Sequence, residues 1–161
     1  HHLWQYLTQP HQNSFPISMV SIPFSNYIKT LTEKGSGRYQ CIFCKKSMYI
    51  VAENLAKRIY AKGIVSGENL GQVASQTLSN LSELSSATEM PVFRPVLTYD
   101  KNEIIQLAKY IGTMDMYHQE DCEFVPSQPA TSLTDKKRFE MNRILDIRQE
   151  AENFAKKNLD E

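Results

Sequence analysis

The sequence predicts an α/β fold, a parallel sheet with helices on both faces. Three observations carry this. Short apolar runs such as Ile64-Val65 and Pro91-Val92-Phe93 are bounded by glycine and polar turns, as strands are. Between them lie longer segments with apolar residues three and four apart, the spacing of helices that face a core. The third is the run Ser66-Gly67-Glu68-Asn69-Leu70-Gly71-Gln72-Val73-Ala74-Ser75-Gln76-Thr77, which leaves a strand and leads into helical spacing at Val73, Leu78, Leu81 and Leu84. Open α/β sheets bind small ligands at such strand-to-helix crevices. Strands separated by helical crossovers pair in parallel.

Taken in order, a short helix with Leu3, Trp4 and Leu7 precedes a break from Pro10 to Pro16. Ile17 to Ile22 alternates as a strand, and Pro23 opens a helix with Phe24, Tyr27, Ile28 and Leu31 on one face. Gly35-Ser36-Gly37 ends it. The next helix is expected to start near Cys44 and to bury Met48, Val51, Ala52, Leu55 and Ile59. Gly63 to Ser66 forms a strand that feeds the crevice loop, and the helix beyond it fades into Ser85-Ser86. Pro91 to Leu97 is expected as a buried strand. Asp100 followed by Glu103 is a capping-box signal for a helix with Ile104, Ile105, Ala108 and Ile111, stopped by Gly112. A proline-containing loop carries Cys122, and one amphipathic helix from about Asp135 to Lys157 closes the chain. Only three strands are legible, and the glycine loop that cradles phosphates after a first strand is missing. The N-terminal part of the domain is therefore expected to lie outside this chain.

At 161 residues the chain has the length of about one domain. Eighteen basic and eighteen acidic side chains balance, so any RNA contact must come from a local patch and not from a global positive field. No apolar run approaches the roughly 18 residues that span a bilayer, and no secretion signal opens the chain, so a cytoplasmic protein without a membrane partner is expected. The three cysteines are an odd number. They point to a metal, a redox pair or a nucleophile more than to a disulfide framework.

In the crevice loop, Gly67 and Gly71 allow positive φ or close backbone approach, and Glu68, Asn69, Gln72 and Gln76 offer groups that read the edge of a base or sugar. Cys41-Ile42-Phe43-Cys44 sits at a helix start, where the dipole lowers a thiol's pKa. Two thiols at this spacing close a disulfide, act as a redox pair or supply half of a metal site. With His118 and Cys122 they would complete a tetrahedral zinc site. Lys45 and Lys46 contact nucleotide or are solvated, and Arg94 pairs internally or meets phosphate. Phe24, Tyr27, Tyr49 and Tyr60 are spaced as core or half-core aromatics, not as an RNA stacking platform.

Several motifs, in order, resemble one family. Gly67-Glu68-Asn69-Leu70-Gly71-Gln72-Val73-Ala74-Ser75-Gln76-Thr77-Leu78, Pro91-Val92-Phe93-Arg94-Pro95, Asp100-Lys101-Asn102-Glu103-Ile104-Ile105, Ile111-Gly112-Thr113 and Glu120-Asp121-Cys122 are similar to the 4-thiouridine-forming tRNA sulfurtransferases, also described as thiamine-biosynthesis sulfur carriers. The likeness runs from about Ile17 to Thr131. It implies the C-terminal part of one ATP-pyrophosphatase domain of the adenine-nucleotide α-hydrolase type, Rossmann-like, with its core at about 17–131 and its last helix at about 135–158. The family's Ser-Gly-Gly-x-Asp-Ser loop and its N-terminal RNA-binding region are not in the sequence.

The resemblance implies adenylation of a tRNA uridine by ATP with Mg, followed by displacement of AMP by sulfur. It places Lys45, Gly67 and Gln76 at the nucleotide and Cys122 in sulfur transfer. The pair Cys41 and Cys44 resembles that of archaeal-type members, and with Cys122 it implies three ligands for an iron–sulfur cluster. Expected partners are tRNA, a sulfur donor (a cysteine desulfurase or sulfide), the N-terminal part of the same domain or another chain, and a second copy in a homodimer. The competing reading is a non-catalytic nucleotide- or metal-binding module without the phosphate loop.

Overall fold

The computed structural model describes residues 5, 18–71, 73, 76–116, 122–144 and 146–159, with the backbone alone for 141–144. The chain divides into two compact units, His1–Pro23 with Asp100–Asp121 and Phe24–Tyr99 with Cys122–Glu161.

In the first unit, helix α4 (Lys101–Tyr110) starts at the capping box that the sequence announces. Asp100 Oδ1 accepts from the Asn102 and Glu103 amides at 2.7 and 2.9 Å, and Glu103 Oε2 accepts from the Asp100 amide at 2.7 Å. Gly112, at φ +74°, ends the segment. A 3₁₀ turn follows at Met114–Met116. The strand expected at Ile17 to Ile22 is not formed: residues 18–22 have irregular backbone. Its apolar alternation finds no neighbouring ladder among the described residues, and a strand needs a partner to satisfy its amides.

The second unit contains helix α1 (Ser25–Glu33), a 3₁₀ turn (Gly37–Tyr39), helix α2 (Gln40–Arg58), strand β1 (Ile64–Val65), helix α3 (Leu78–Ser85), strand β2 (Val92–Phe93), and helices α5 (Asp135–Ile144) and α6 (Ile147–Leu159). β1 and β2 pair in parallel, with Ile64 opposite Val92 and Val65 opposite Phe93. The expected α/β class with parallel pairing is borne out. Gly63 makes the pairing possible, because a Cβ there would stand 2.8 Å from a ring carbon of Phe93 and 3.1 Å from the Pro91 carbonyl oxygen.

Helix α2 is the spine, packed by α1, α3 and α6. Phe24, Tyr27 and Phe154 form a ring cluster at 4.9–5.3 Å between centroids. On α6, Ile147, Ala151 and Ala155 recur every four residues and are buried, the two alanines completely. That small-residue stripe lets α6 approach α2 closely. The buried face of α2 differs from the expected one. Ile42, Phe43, Tyr49, Ile50, Val51 and Ala56 are inside, whereas Met48 and Ile59 are exposed and Ala52 and Leu55 are half-buried. An aliphatic stripe cannot locate a face that also takes in Gln40, Ser47 and Glu53. Ser47 and Gln40 are tolerated because they find hydrogen-bond partners: Ser47 Oγ donates to Phe43 O and lies 2.8 Å from Tyr27 Oη, and Gln40 bonds Ser36 and the Ile28 carbonyl; Glu53 Oε1 is ion-paired with Lys57 Nζ at 2.7 Å.

Three further expectations are corrected. β2 stops at Phe93 instead of reaching Leu97, because Pro95 has no N–H for a ladder and initiates a turn closed by Leu97 N on Arg94 O at 3.1 Å. The last helix is two, since Asp146 caps α6 by accepting from the Gln149 amide at 3.0 Å. Tyr60, expected in or near the core, is 83 % exposed at φ +58°, where α2 has just ended. Among the described residues no helix is long and apolar enough to cross a membrane.

Candidate functional site

The crevice loop leaves β1 as expected, but α3 begins only at Leu78, with Thr77 as its cap. Val73 and Leu78 are exposed, and Leu81 and Leu84 carry the buried face. The loop is pinned from within. Gly71, at φ +81°, donates to Gln76 O, Gln76 N donates to Val73 O, and Leu70 N donates to Leu97 O, each at 2.8 Å. Asn69, 3 % exposed, donates from Nδ2 to the carbonyls of Val96 and Tyr99. Its Nδ2 therefore ties the loop to the turns after β2 and is taken from a base edge, while its buried Oδ1 accepts no hydrogen bond among the described residues, which narrows its expected role. Gln72 lies outside the described residues.

Beside β1 and its C-terminal end, a cavity of about 240 Å³ is lined by Lys45, Met48, Tyr49, Ala52, Ile64, Val65, Ser66 and Glu68. Its walls are apolar and its charge is concentrated at Lys45 and Glu68. Glu68 is only 7 % exposed. Its Oε2 accepts from Tyr49 Oη at 2.6 Å and from Arg94 Nε at 2.9 Å, while Lys45 Nζ stands 3.5 Å from Oε1. Burial pushes the Glu68 carboxyl up, but the Tyr49 and Arg94 hydrogen bonds and the nearby cations outweigh it and hold the group below the usual carboxylate range. Burial, with the Glu68 carboxylate as acceptor, raises the Tyr49 phenol. Arg94 Nη2 also reaches Tyr49 Oη at 3.3 Å, and its guanidinium lies 5.8 Å from the Tyr49 ring centroid. Of the two roles open to Arg94, the structure realises the internal ion pair.

The expected nucleotide residues divide. Lys45 lines the cavity. Gly67 lies between the lining residues Ser66 and Glu68, is exposed, and has open space where a Cβ would be. Gln76 is not among the lining residues; its main chain closes the loop. Lys46 is spent elsewhere, paired with the buried Glu83, which also takes Arg138 Nη2 at 2.8 Å.

Cys41 and Cys44 occupy the first turns of α2, and the exposed Cys122 opens a turn closed by Val125 N on Cys122 O at 3.2 Å. The loop after Cys122 is tied to the rest of the unit at Ala130. Its amide donates to Arg38 O at 2.8 Å and its carbonyl accepts from Asn80 Nδ2 at 3.2 Å. Burial first, then the charge of Cys122, raises the Cys41 thiol; burial, Cys122 and Cys41 push Cys44 up to about 11. Lys45 lowers both but loses to those effects. The expectation that the helix start lowers these pKa values is therefore overturned. Cys122 is near enough to act on both earlier thiols, yet among the described residues no three His, Cys, Asp or Glu side chains are grouped as a metal would need them. His118 lies outside the described residues. A groove of about 540 Å³ has a lining that includes Ser36, Arg38, Phe124 and Gln128 together with Gln40 and Glu123, the chain neighbours of Cys41 and Cys122.

The cluster of Glu68, Tyr49 and Arg94 was not foreseen as a unit. Its only signal in the sequence is an acid placed among amides and an arginine beside a strand-ending proline.

Comparison with known proteins shows what the chain is similar to. A protein named "Probable tRNA sulfurtransferase" from Metamycoplasma arthritidis is 38 % identical over 138 residues, 83 % of this chain and 35 % of its own length. One of the same name from Methanocaldococcus jannaschii is 46 % identical over 95 residues, 58 % of this chain and 25 % of its own. The chain spans about a third of the length of the first of these relatives. A solved structure described as a 4-thiouridine synthetase–RNA complex with bound ATP superposes with a TM-score of 0.72 at 32 % identity, over 83 % of this chain and 36 % of that one. The family model described as thiamine biosynthesis protein (ThiI) matches residues 3–145, and the chain belongs to that family.

Proposed function

We propose that this chain is part of an ATP-dependent tRNA-uridine sulfurtransferase of the cytoplasm, making 4-thiouridine. The observation that carries the reading is the adjacency of two chemistries on α2. Lys45 lines the cavity at the end of β1, and its charge, like that of Cys122, acts on both Cys41 and Cys44. A relative solved with RNA and ATP supports it. The cavity takes the adenine-nucleotide end of ATP, with Lys45 at its lip and Gly67 offering backbone to a ligand that approaches closely. Gln76 serves by holding the loop closed. The sequence has no glycine-rich phosphate loop, so the triphosphate and its Mg rest mainly on residues from the N-terminal part of the same domain or from another chain, with Lys45 reaching the phosphates from the cavity lip.

ATP converts the uridine oxygen into a leaving group by adenylation, releasing pyrophosphate. Sulfur from a desulfurase-borne persulfide or from sulfide then adds at the activated carbon, and AMP departs. Where the sulfur comes as a cysteine persulfide, its outer sulfur adds at the activated carbon. Cys122 then attacks the carrier cysteine's sulfur, the S–S bond to the uridine-bound sulfur breaks and releases 4-thiouridine, and the Cys122–carrier disulfide so formed is reset by a thiol reductant. The groove lined by Glu123, the chain neighbour of Cys122, is the approach for the nucleotide to be thiolated. Because Cys41, Cys44 and Cys122 are not grouped as a ligand set among the described residues, the sulfur step is derived from the thiols alone. Cys122→Ser in the full-length protein is expected to abolish 4-thiouridine while leaving ATP–pyrophosphate exchange intact. Undiminished thiolation by that variant would remove Cys122 from the reaction.

A further inference from the structure

The cavity lip holds a carboxylate where an anion is to bind, and its partners are of unequal grip. Glu68 Oε2 carries two direct hydrogen bonds, from Tyr49 Oη at 2.6 Å and Arg94 Nε at 2.9 Å. Oε1 faces Lys45 at 3.5 Å, an ion pair longer than a good hydrogen bond. Arg94 is fixed by its second contact to Tyr49, and its side chain is 11 % exposed against 28 % for Lys45. A buried carboxylate stripped of every partner is strongly disfavoured. Glu68 is spared that state when Lys45 leaves, because Tyr49 and Arg94 remain.

We propose that Glu68, clamped by Tyr49 and Arg94, is the resident counter-ion of Lys45 and releases the ammonium to the phosphates of an entering nucleotide. The assignment rests on the reading of Lys45 as a nucleotide-binding residue. Glu68 is a positioning residue in this scheme: it keeps Lys45 at the lip and sets the electrostatic cost of recruiting it. Only a ligand with phosphate must meet that cost, so Glu68 tunes the balance between ATP and its uncharged nucleoside.

The test is isothermal titration of the full-length protein with Mg-ATP and, separately, with adenosine. Glu68→Gln/Arg94→Gln removes one charge of each sign, so it frees Lys45 without changing the net field or stranding a buried ion. The double variant is expected to bind Mg-ATP about fivefold tighter, the size of a partly exposed ion pair, with adenosine affinity unchanged. Adding Lys45→Ala should shrink that gain below about twofold. The proposal is overturned if Mg-ATP binds no tighter, if adenosine shifts by the same factor, or if the gain survives Lys45→Ala. Should the double variant not fold, Glu68→Gln alone, whose amide oxygen still accepts from Tyr49 and Arg94, is read by the same three criteria. A single Lys45→Ala variant that keeps full Mg-ATP affinity is a separate outcome. It removes Lys45 from the nucleotide site and the counter-ion role with it.

Discussion

Replacing Tyr49 by Phe removes one oxygen and keeps the ring, so it isolates the hydrogen bond from the packing. The oxygen donates to the Glu68 carboxylate at 2.6 Å and is within 3.3 Å of Arg94 Nη2. Both Tyr49 and Glu68 are buried, at 6 % and 7 % exposure, so water does not replace the lost donor. A hydrogen bond to a charged group contributes about 1.5–3 kcal/mol, and the remaining Arg94 contact moderates the loss, which places the expected cost near 2 kcal/mol at neutral pH. Urea unfolding followed by circular dichroism reads it as a lower midpoint with an unchanged slope. The pH dependence adds a second check. Glu68 is held below its usual range, so its contribution is complete above the unfolded value of about 4.5 and disappears as pH falls through the folded value. The gap between wild type and Tyr49→Phe should therefore be constant from pH 7 down to about 5 and narrow below about 4.5. A loss under about 0.5 kcal/mol, or a gap of the same size at pH 3 as at pH 7, would falsify the view that this bond stabilises an ionised carboxylate.

Gly63→Val is expected to cost about 1–3 kcal/mol, seen as a lower Tm, because its Cβ meets the Phe93 ring and the Pro91 carbonyl. Gly67→Val, with open space at the same atom, should change stability by less than about 0.5 kcal/mol; equal losses at the two sites would refute the packing account of β1. Iodoacetamide labelling should modify the exposed Cys122 first, with Cys44 gaining reactivity only as pH approaches about 11. Cys44 favours the folded state fully below its unfolded value of about 9, and that contribution is lost as pH rises through about 11. Rapid Cys44 labelling at pH 8, detected by mass spectrometry, would contradict its burial.

The elements most legible from sequence are those fixed by local chemistry. Asp100 and Glu103 announce α4 because a capping box needs only four consecutive residues. Gly71 shows its positive φ because a turn requires it. Features that depend on tertiary partners were not legible. The face of α2 is set by three packing helices, by hydrogen bonds that admit Gln40 and Ser47 and by an ion pair that admits Glu53, and no periodicity reports those partners. At the candidate site, the resemblance points to Lys45, which lines the cavity, and to Gly67 beside it, whereas the polar groups of Glu68 and the amide of Asn69, expected to face a ligand, are taken up by Tyr49, Arg94 and the loop carbonyls. Polar residues in a loop look alike from sequence whether they serve a ligand or the loop itself. The partners across 19 or more residues of chain decide.

The thiols show the same limit in quantitative form. A helix start contributes about 0.3–1 kcal/mol in favour of a negative charge, while Cys44 is raised from about 9 to about 11, a bias of roughly 3 kcal/mol against the thiolate. Desolvation therefore decides the protonation state of Cys44, and the dipole only moderates it. Because the charge of Cys122 raises both Cys41 and Cys44, ionising the accessible thiol makes ionisation of the inner pair harder still. A cluster built this way disfavours a second thiolate once one has formed. That suits a relay in which one accessible cysteine attacks while its neighbours stay protonated. It also means that Cys41 or Cys44 ionises more readily as a second nucleophile when Cys122 carries no charge, as in a disulfide.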